Sequence, residues 1–128
     1  MQDFRSLLKL KPDDIDASNA LGYTLADANR DLPEAEQLVA KARAARPNDP
    51  AIADSWGWVQ YRLGHLDQAV QALRGAWQAG RDADVGVHLG EALWAQGNHA
   101  DARQVFDEVR KIDPHNASLQ NVLKRIHP

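Results

Sequence analysis

The side chains in this chain best placed to act together are an aromatic and charged set near its middle. Trp58 follows Asp54 by four residues, and Tyr61 and Arg62 follow Trp58 by three and four, the spacing that gathers side chains on one face of a helix. Indole and phenol rings supply large contact area at small entropic cost, and nearby carboxylates favour basic side chains. Such a face suits the gripping of a polypeptide. Groups that would cleave or transfer bonds do not converge in the same way. His65, His88, His99, His115 and His127 include no pair at helical ligand spacing with a third ligand nearby, so a metal site is unsupported. His65 and His99 fall in equivalent inter-helix turns, His88 on a first helix and His115 after a closing proline, and exposed histidines are expected rather than ligands. The four serines have no nucleophile-elbow context. Asp107 and Glu108 are adjacent on a helix and diverge. No enzymatic activity, no cofactor and no metal are expected.

A length of 128 residues is one domain's worth, with 44% hydrophobic and 26% charged residues. The longest apolar runs fall far short of the roughly 20 residues needed to span a bilayer. No membrane insertion by this segment is expected on that ground, and a formal net charge of −3 provides no basic field for phosphates, which argues against nucleic acid as partner. The absence of cysteine removes disulfide and thiolate chemistry but fits any compartment.

Positioning the aromatic set requires helices, and their phase repeats along the chain. Gly22, Gly57 and Gly90 recur at intervals of 35 and 33, each after a large apolar residue: Leu21, Trp56 or Leu89. Ala35, Ala69 and Ala102 are 34 and 33 apart, and Val39, Leu73 and Phe106 follow them at a constant interval. Gly57 against the Ala69 turn, and Gly90 against Ala102, remove bulk where antiparallel helices meet, at about 1 kcal/mol in helix propensity. Gly64 and Gly97 end helical patterns and suit left-handed caps. Asp49 and Pro50 supply a capping acid and a first-turn proline. Pro12, Pro47 and Pro114 close units, and Arg81 stands where another proline would fall. These signals predict hairpins over about Ile15–Arg46, Pro50–Ala79 and Ala83–Ile112. A final amphipathic helix, Asn116–Ile126, buries Leu119, Val122, Leu123 and Ile126 and turns Gln120, Asn121, Lys124 and Arg125 to water.

Leu21-Gly22-Tyr23, Trp56-Gly57-Trp58 with Tyr61 and Gly64, Leu89-Gly90 with Gly97, the alanines and the closing prolines resemble the tetratricopeptide repeat over nearly the whole chain. An extra residue in the Asn29–Pro33 turn and a missing one near Arg81 depart from the pattern. The resemblance implies an all-α, right-handed superhelical solenoid of antiparallel hairpins. Residues 1–14 would be the second helix of a preceding repeat, 15–49, 50–82 and 83–115 three repeats, and 116–126 a capping helix. It also implies that first helices line a concave groove. Counted from the glycines, the inward positions include Asp16, Asn19, Tyr23 and Asp27, then Asp54, Trp58, Tyr61 and Arg62, then Asp84, Val87, Glu91 and Trp94. The partner-binding set expected on this basis is Asn19, Tyr23, Asp54, Trp58, Tyr61, Arg62, Glu91 and Trp94, with Trp58, Tyr61 and Trp94 at its centre.

The same residues admit a plainer reading, in which tryptophans pack and first-turn acids support helix N-termini. Trp56 and Trp77 are assigned to core or inter-repeat packing. The implied function is a protein-interaction scaffold or adaptor that binds a partner peptide or protein in an acidic, aromatic groove. The alternative is an end segment that caps a longer superhelix or associates with itself. An otherwise acidic and aromatic lining argues against a clamp for acidic chaperone tails. The phrase from Leu21 to Trp77 is also similar to the C-terminal part of bacterial envelope tetratricopeptide proteins, some of them lipoproteins. That similarity implies a periplasmic or outer-membrane setting, with the cytoplasm as the alternative.

Overall fold

The computed structural model describes residues 2–126, and His127, one of the five histidines considered above, lies outside them. Among the described residues there are eight α-helices and no strand: α1 (Gln2–Leu10), α2 (Ile15–Asp27), α3 (Leu32–Ala45), α4 (Pro50–Arg62), α5 (Leu66–Gly80), α6 (Ala83–Ala95), α7 (His99–Ile112) and α8 (Ala117–Ile126). None is long and apolar enough to cross a membrane.

An aspartate sets the start of each first helix. Asp14 accepts from the Ala17 amide at 2.9 Å, Asp49 from Ala51 at 2.9 Å and Asp82 from Asp84 at 3.0 Å. Each cap satisfies a backbone donor with no intrahelical partner and contributes about 1 kcal/mol. The turns after α4 and α6 are closed by Gly64 and Gly97 at φ 86° and 92°. The corresponding turn after α2 carries the extra residue, and there Asn29 and Asp31 take the left-handed conformation at φ 54° and 48°. Where the pattern is one residue short, Arg81 ends α5 at φ 52°.

Consecutive helices pair as the hairpins α2/α3, α4/α5 and α6/α7, and each first helix also packs on the next, so that α2, α4, α6 and α8 follow one another in one layer. This is an all-α solenoid. Glycine permits the close approach: a Cβ on Gly57 would lie 2.6 Å from Leu73 Cγ, and one on Gly22 would lie 2.5 Å from Val39 Cγ2. At Gly90 the atoms nearest an added Cβ belong to the Phe106 ring, one turn beyond Ala102, because the aromatic side chain reaches back along α7 towards the preceding turn. The core divides into two clusters, one around Leu21, Val39 and Val59 and one around Leu73, Leu89 and Phe106.

Candidate binding groove

The first-helix layer carries a cavity of about 460 Å³ between α4, α6 and α8. Four of the expected residues line it: Trp58, Tyr61, Arg62 and Glu91. They converge because residues three and four apart on α4 share a face, and because α6 repeats the phase of α4 one repeat later. Asp27, Val87 and His88 also line the cavity, and Ser118, Asn121, Val122 and Arg125 of α8 close its far side.

Trp58 is only 4% exposed. Its ring stacks on Tyr61 with centroids 4.8 Å apart and on His88 at 4.2 Å, while the Arg62 guanidinium lies 4.9 Å from its centroid. The indole N–H points to Asp27 Oδ1 at 3.3 Å, and Arg62 donates to the Asp27 carbonyl at 3.2 Å. Trp58 therefore serves as a packed wall and does not offer an open face to a ligand. Its flat surface is already covered by groups of the same chain.

His88 corrects the expectation of an exposed histidine. It is buried, with Nδ1 2.9 Å from Asp54 Oδ1 and Nε2 3.3 Å from the Tyr23 hydroxyl. In the tautomer with its proton on Nδ1 the ring donates to the carboxylate and can accept from the phenol at Nε2. Burial first, and then the neighbouring acids Asp27, Asp54 and Asp84, raise the Tyr23 phenol above its ordinary range. Tyr23 on α2, Asp54 on α4 and His88 on α6 thus form one hydrogen-bonded chain across three consecutive first helices. Asp54 and Tyr23 meet the groove through His88 rather than by lining it.

Glu91 is not the free carboxylate expected. Its side chain is 6% exposed and pairs with Arg125 of α8, whose own side chain is 60% exposed. Arg125 is exposed, as its place on the water-facing side of α8 implies, and because α8 occupies the place of a further first helix its guanidinium also reaches Glu91. Burial and the Glu91 charge raise the Tyr61 phenol as well, with Arg125 and Arg62 opposing. The groove lining is consequently amphoteric and aromatic rather than simply acidic.

Two expected residues stand apart. Trp94 stacks on His99 at 3.7 Å under Arg103, beside the α6–α7 turn, and does not reach the cavity. Asn19 lies one turn before Tyr23, outside the lining, with its Oδ1 buried and unpartnered among the described residues, as is Arg62 Nε. Of the remaining acids, Asp16 pairs with Arg46 at 2.7 Å and Asp84 accepts from Asn116 at 3.0 Å. Trp77 is buried, whereas Trp56 is only half-buried and faces a different cavity. No cluster of three or more histidine, aspartate or glutamate side chains is placed to hold a metal among the described residues.

Comparison with known proteins agrees with this architecture. Two models described as tetratricopeptide repeat match the chain, one over residues 2–50 and one over residues 60–126. A TPR repeat-containing protein of Pseudomonas aeruginosa is 48% identical over 90 residues, which is 70% of this chain and 15% of that relative. The chain thus spans a small part of that protein's length. Among solved structures, the first TPR domain of human RPAP3 superposes with a TM-score of 0.76 at 20% identity, covering 91% of each chain. The first TPR of Spaghetti (RPAP3) bound to an HSP90 peptide has a TM-score of 0.75 at 19% identity, covering 88% of this chain and 90% of that one.

Proposed function

The chain belongs to the tetratricopeptide-repeat family, whose general work is to scaffold protein–protein interaction, and on that premise we propose that it binds a peptide segment of a partner protein in the groove between α4, α6 and α8. The observation that carries the proposal is the convergence of Tyr61, Arg62, Glu91 and Arg125 around a cavity of about 460 Å³. A pocket of that size with a few convergent polar groups is the usual form of a ligand site. Arg62 lines the cavity with a side chain 30% exposed, so its guanidinium can donate to a bound carbonyl or carboxylate. Asn121 and Ser118 add hydrogen-bonding capacity on the α8 side. Peptide binding by the structurally similar domain of Spaghetti supports the same use of the fold.

The test is a comparison of proteins co-purifying with the intact parent carrying either the native sequence or Tyr61→Ala with Arg62→Glu. The double variant, checked for helix content by circular dichroism, is expected to lose at least one polypeptide that the native chain retains. Retention of every partner by a folded variant would remove this groove from the account.

A further inference from the structure

A second surface lies on the opposite side of α4 from the groove, since Trp56 and Trp58 are separated by about 200° around the helix. Here α3, the α3–α4 turn, α4 and α5 line a cavity of about 570 Å³, with Trp56, Arg43 and Gly75 in its lining.

Each of the four tryptophans has an arginine over its ring: Arg43 on Trp56, Arg62 on Trp58, Arg81 on Trp77 and Arg103 on Trp94. In two of these pairs a single carboxylate joins both members. Glu108 accepts from the Trp77 indole at 3.3 Å and from Arg81 at 2.9 Å. Asp27 accepts from the Trp58 indole at 3.3 Å and lies 3.9 Å from Arg62. The carboxylate thus completes a set of ring, cation and anion. Among the described residues the Arg43–Trp56 and Arg103–Trp94 pairs have no such carboxylate, and of these two it is Arg43–Trp56, with ring and guanidinium 4.8 Å apart, that lines the cavity. Asp49, the other charged group in the lining, is committed to capping α4.

Gly75 adds an independent observation. It lies in the interior of α5, and a Cβ there would meet nothing within 4 Å. Gly22, Gly57, Gly86 and Gly90 each admit a large apolar side chain from a neighbouring helix. Gly75 incurs the same helical penalty with no such neighbour in the chain. The face from Gln68 to Ala79 runs about 17 Å along α5, the length of three helical turns.

We propose that this cavity docks an amphipathic helix of a partner protein. A glutamate or aspartate of that helix completes the Arg43–Trp56 pair, and a large apolar side chain beside it seats over Gly75. The geometry matches the contacts the chain already makes internally, and the unpaired Arg43 sets the sign of the partner's charge. This surface is independent of the groove between α4, α6 and α8.

The experiment is a selection from a displayed library of helical 15-residue peptides against the full chain, with counter-selection against Gly75→Leu. Because the Gly75 position is open, the leucine variant is expected to remain folded, and circular dichroism checks this directly. Recovered peptides should carry an acidic residue within one turn of a large apolar residue. Arg43→Gln should weaken their binding about tenfold or more, as expected for a charge-assisted hydrogen bond. Changing the peptide's acid to its amide should then cost nothing further on the Arg43→Gln chain. Recovery of no peptide that separates the two chains, binders without acidic enrichment, or equal binding to Arg43→Gln would overturn the proposal. Self-association of the chain that Arg43→Gln abolishes would also overturn it, by making a second copy the occupant.

Discussion

Trp58 and His88 stack with ring centroids 4.2 Å apart and 23° between their planes, joining the second repeat to the third through two side chains that each make a further bond to another helix. The contact changes what Trp58 is for. A ring enclosed on this scale is part of the fold, so Trp58→Ala should destabilise the chain by about 3–5 kcal/mol. Tyr61→Ala, at a half-buried position, should cost less. Urea denaturation of the two variants checks the order, and equal losses would contradict it.

Glycines that look alike in sequence should respond oppositely to substitution. Gly57→Ala forces a methyl against Leu73 Cγ, 2.6 Å away, and should destabilise by about 1–3 kcal/mol. Gly75→Ala enters open space in a helix interior and should stabilise by about 1 kcal/mol. Thermal unfolding of both variants would show the melting temperature falling for the first and rising for the second.

The alkaline limb of the stability profile should report Tyr23. Burial and neighbouring acids raise its phenol in the folded state, so the folded chain holds this proton more tightly than the unfolded chain does. That contribution is fully present below the unfolded phenol value of about 10 and is lost as pH rises above it. Tyr23→Phe removes the titrating hydroxyl while keeping the ring. The urea midpoint measured from pH 9 to 11 should fall less steeply for the variant than for the native chain; parallel curves would show that Tyr23 has no such role.

Arg125→Gln should leave the nearly enclosed Glu91 carboxylate without its counter-charge. The expected cost is about 1–3 kcal/mol, the penalty of an unsatisfied buried polar group. Glu91→Gln should cost less, because the charge left unpaired is Arg125, which is 60% exposed to water, and in the two changes together no charge remains. A double-mutant cycle by denaturant unfolding would expose this non-additivity.

The helices were legible in sequence because glycine, alanine and proline mark the same places in each repeat, and close packing leaves those positions little choice. Tyr61, Arg62 and Glu91 were legible as groove residues for the same reason. His88 was not, since its role depends on Asp54 and Tyr23 arriving from two other helices. Its phase offered the available signal: like Ser55 before Gly57, it stands two residues before Gly90, and both are buried. Trp94 shares the phase of Tyr61 but is drawn aside by His99 and Arg103, neighbours that helical counting does not consider. Arg125 became a groove residue because α8 packs as another first helix, although it lacks the glycine that marks the others.

The central claim, that the groove between α4, α6 and α8 holds a partner polypeptide, is tested most directly by site-specific photo-crosslinking in the intact parent within its native cell. A benzophenone amino acid at Tyr61 should yield a discrete cross-linked polypeptide, while the same probe at the exposed Lys111 on α7 should not. No product at Tyr61 from a folded protein, or the same products from both positions, would contradict the account.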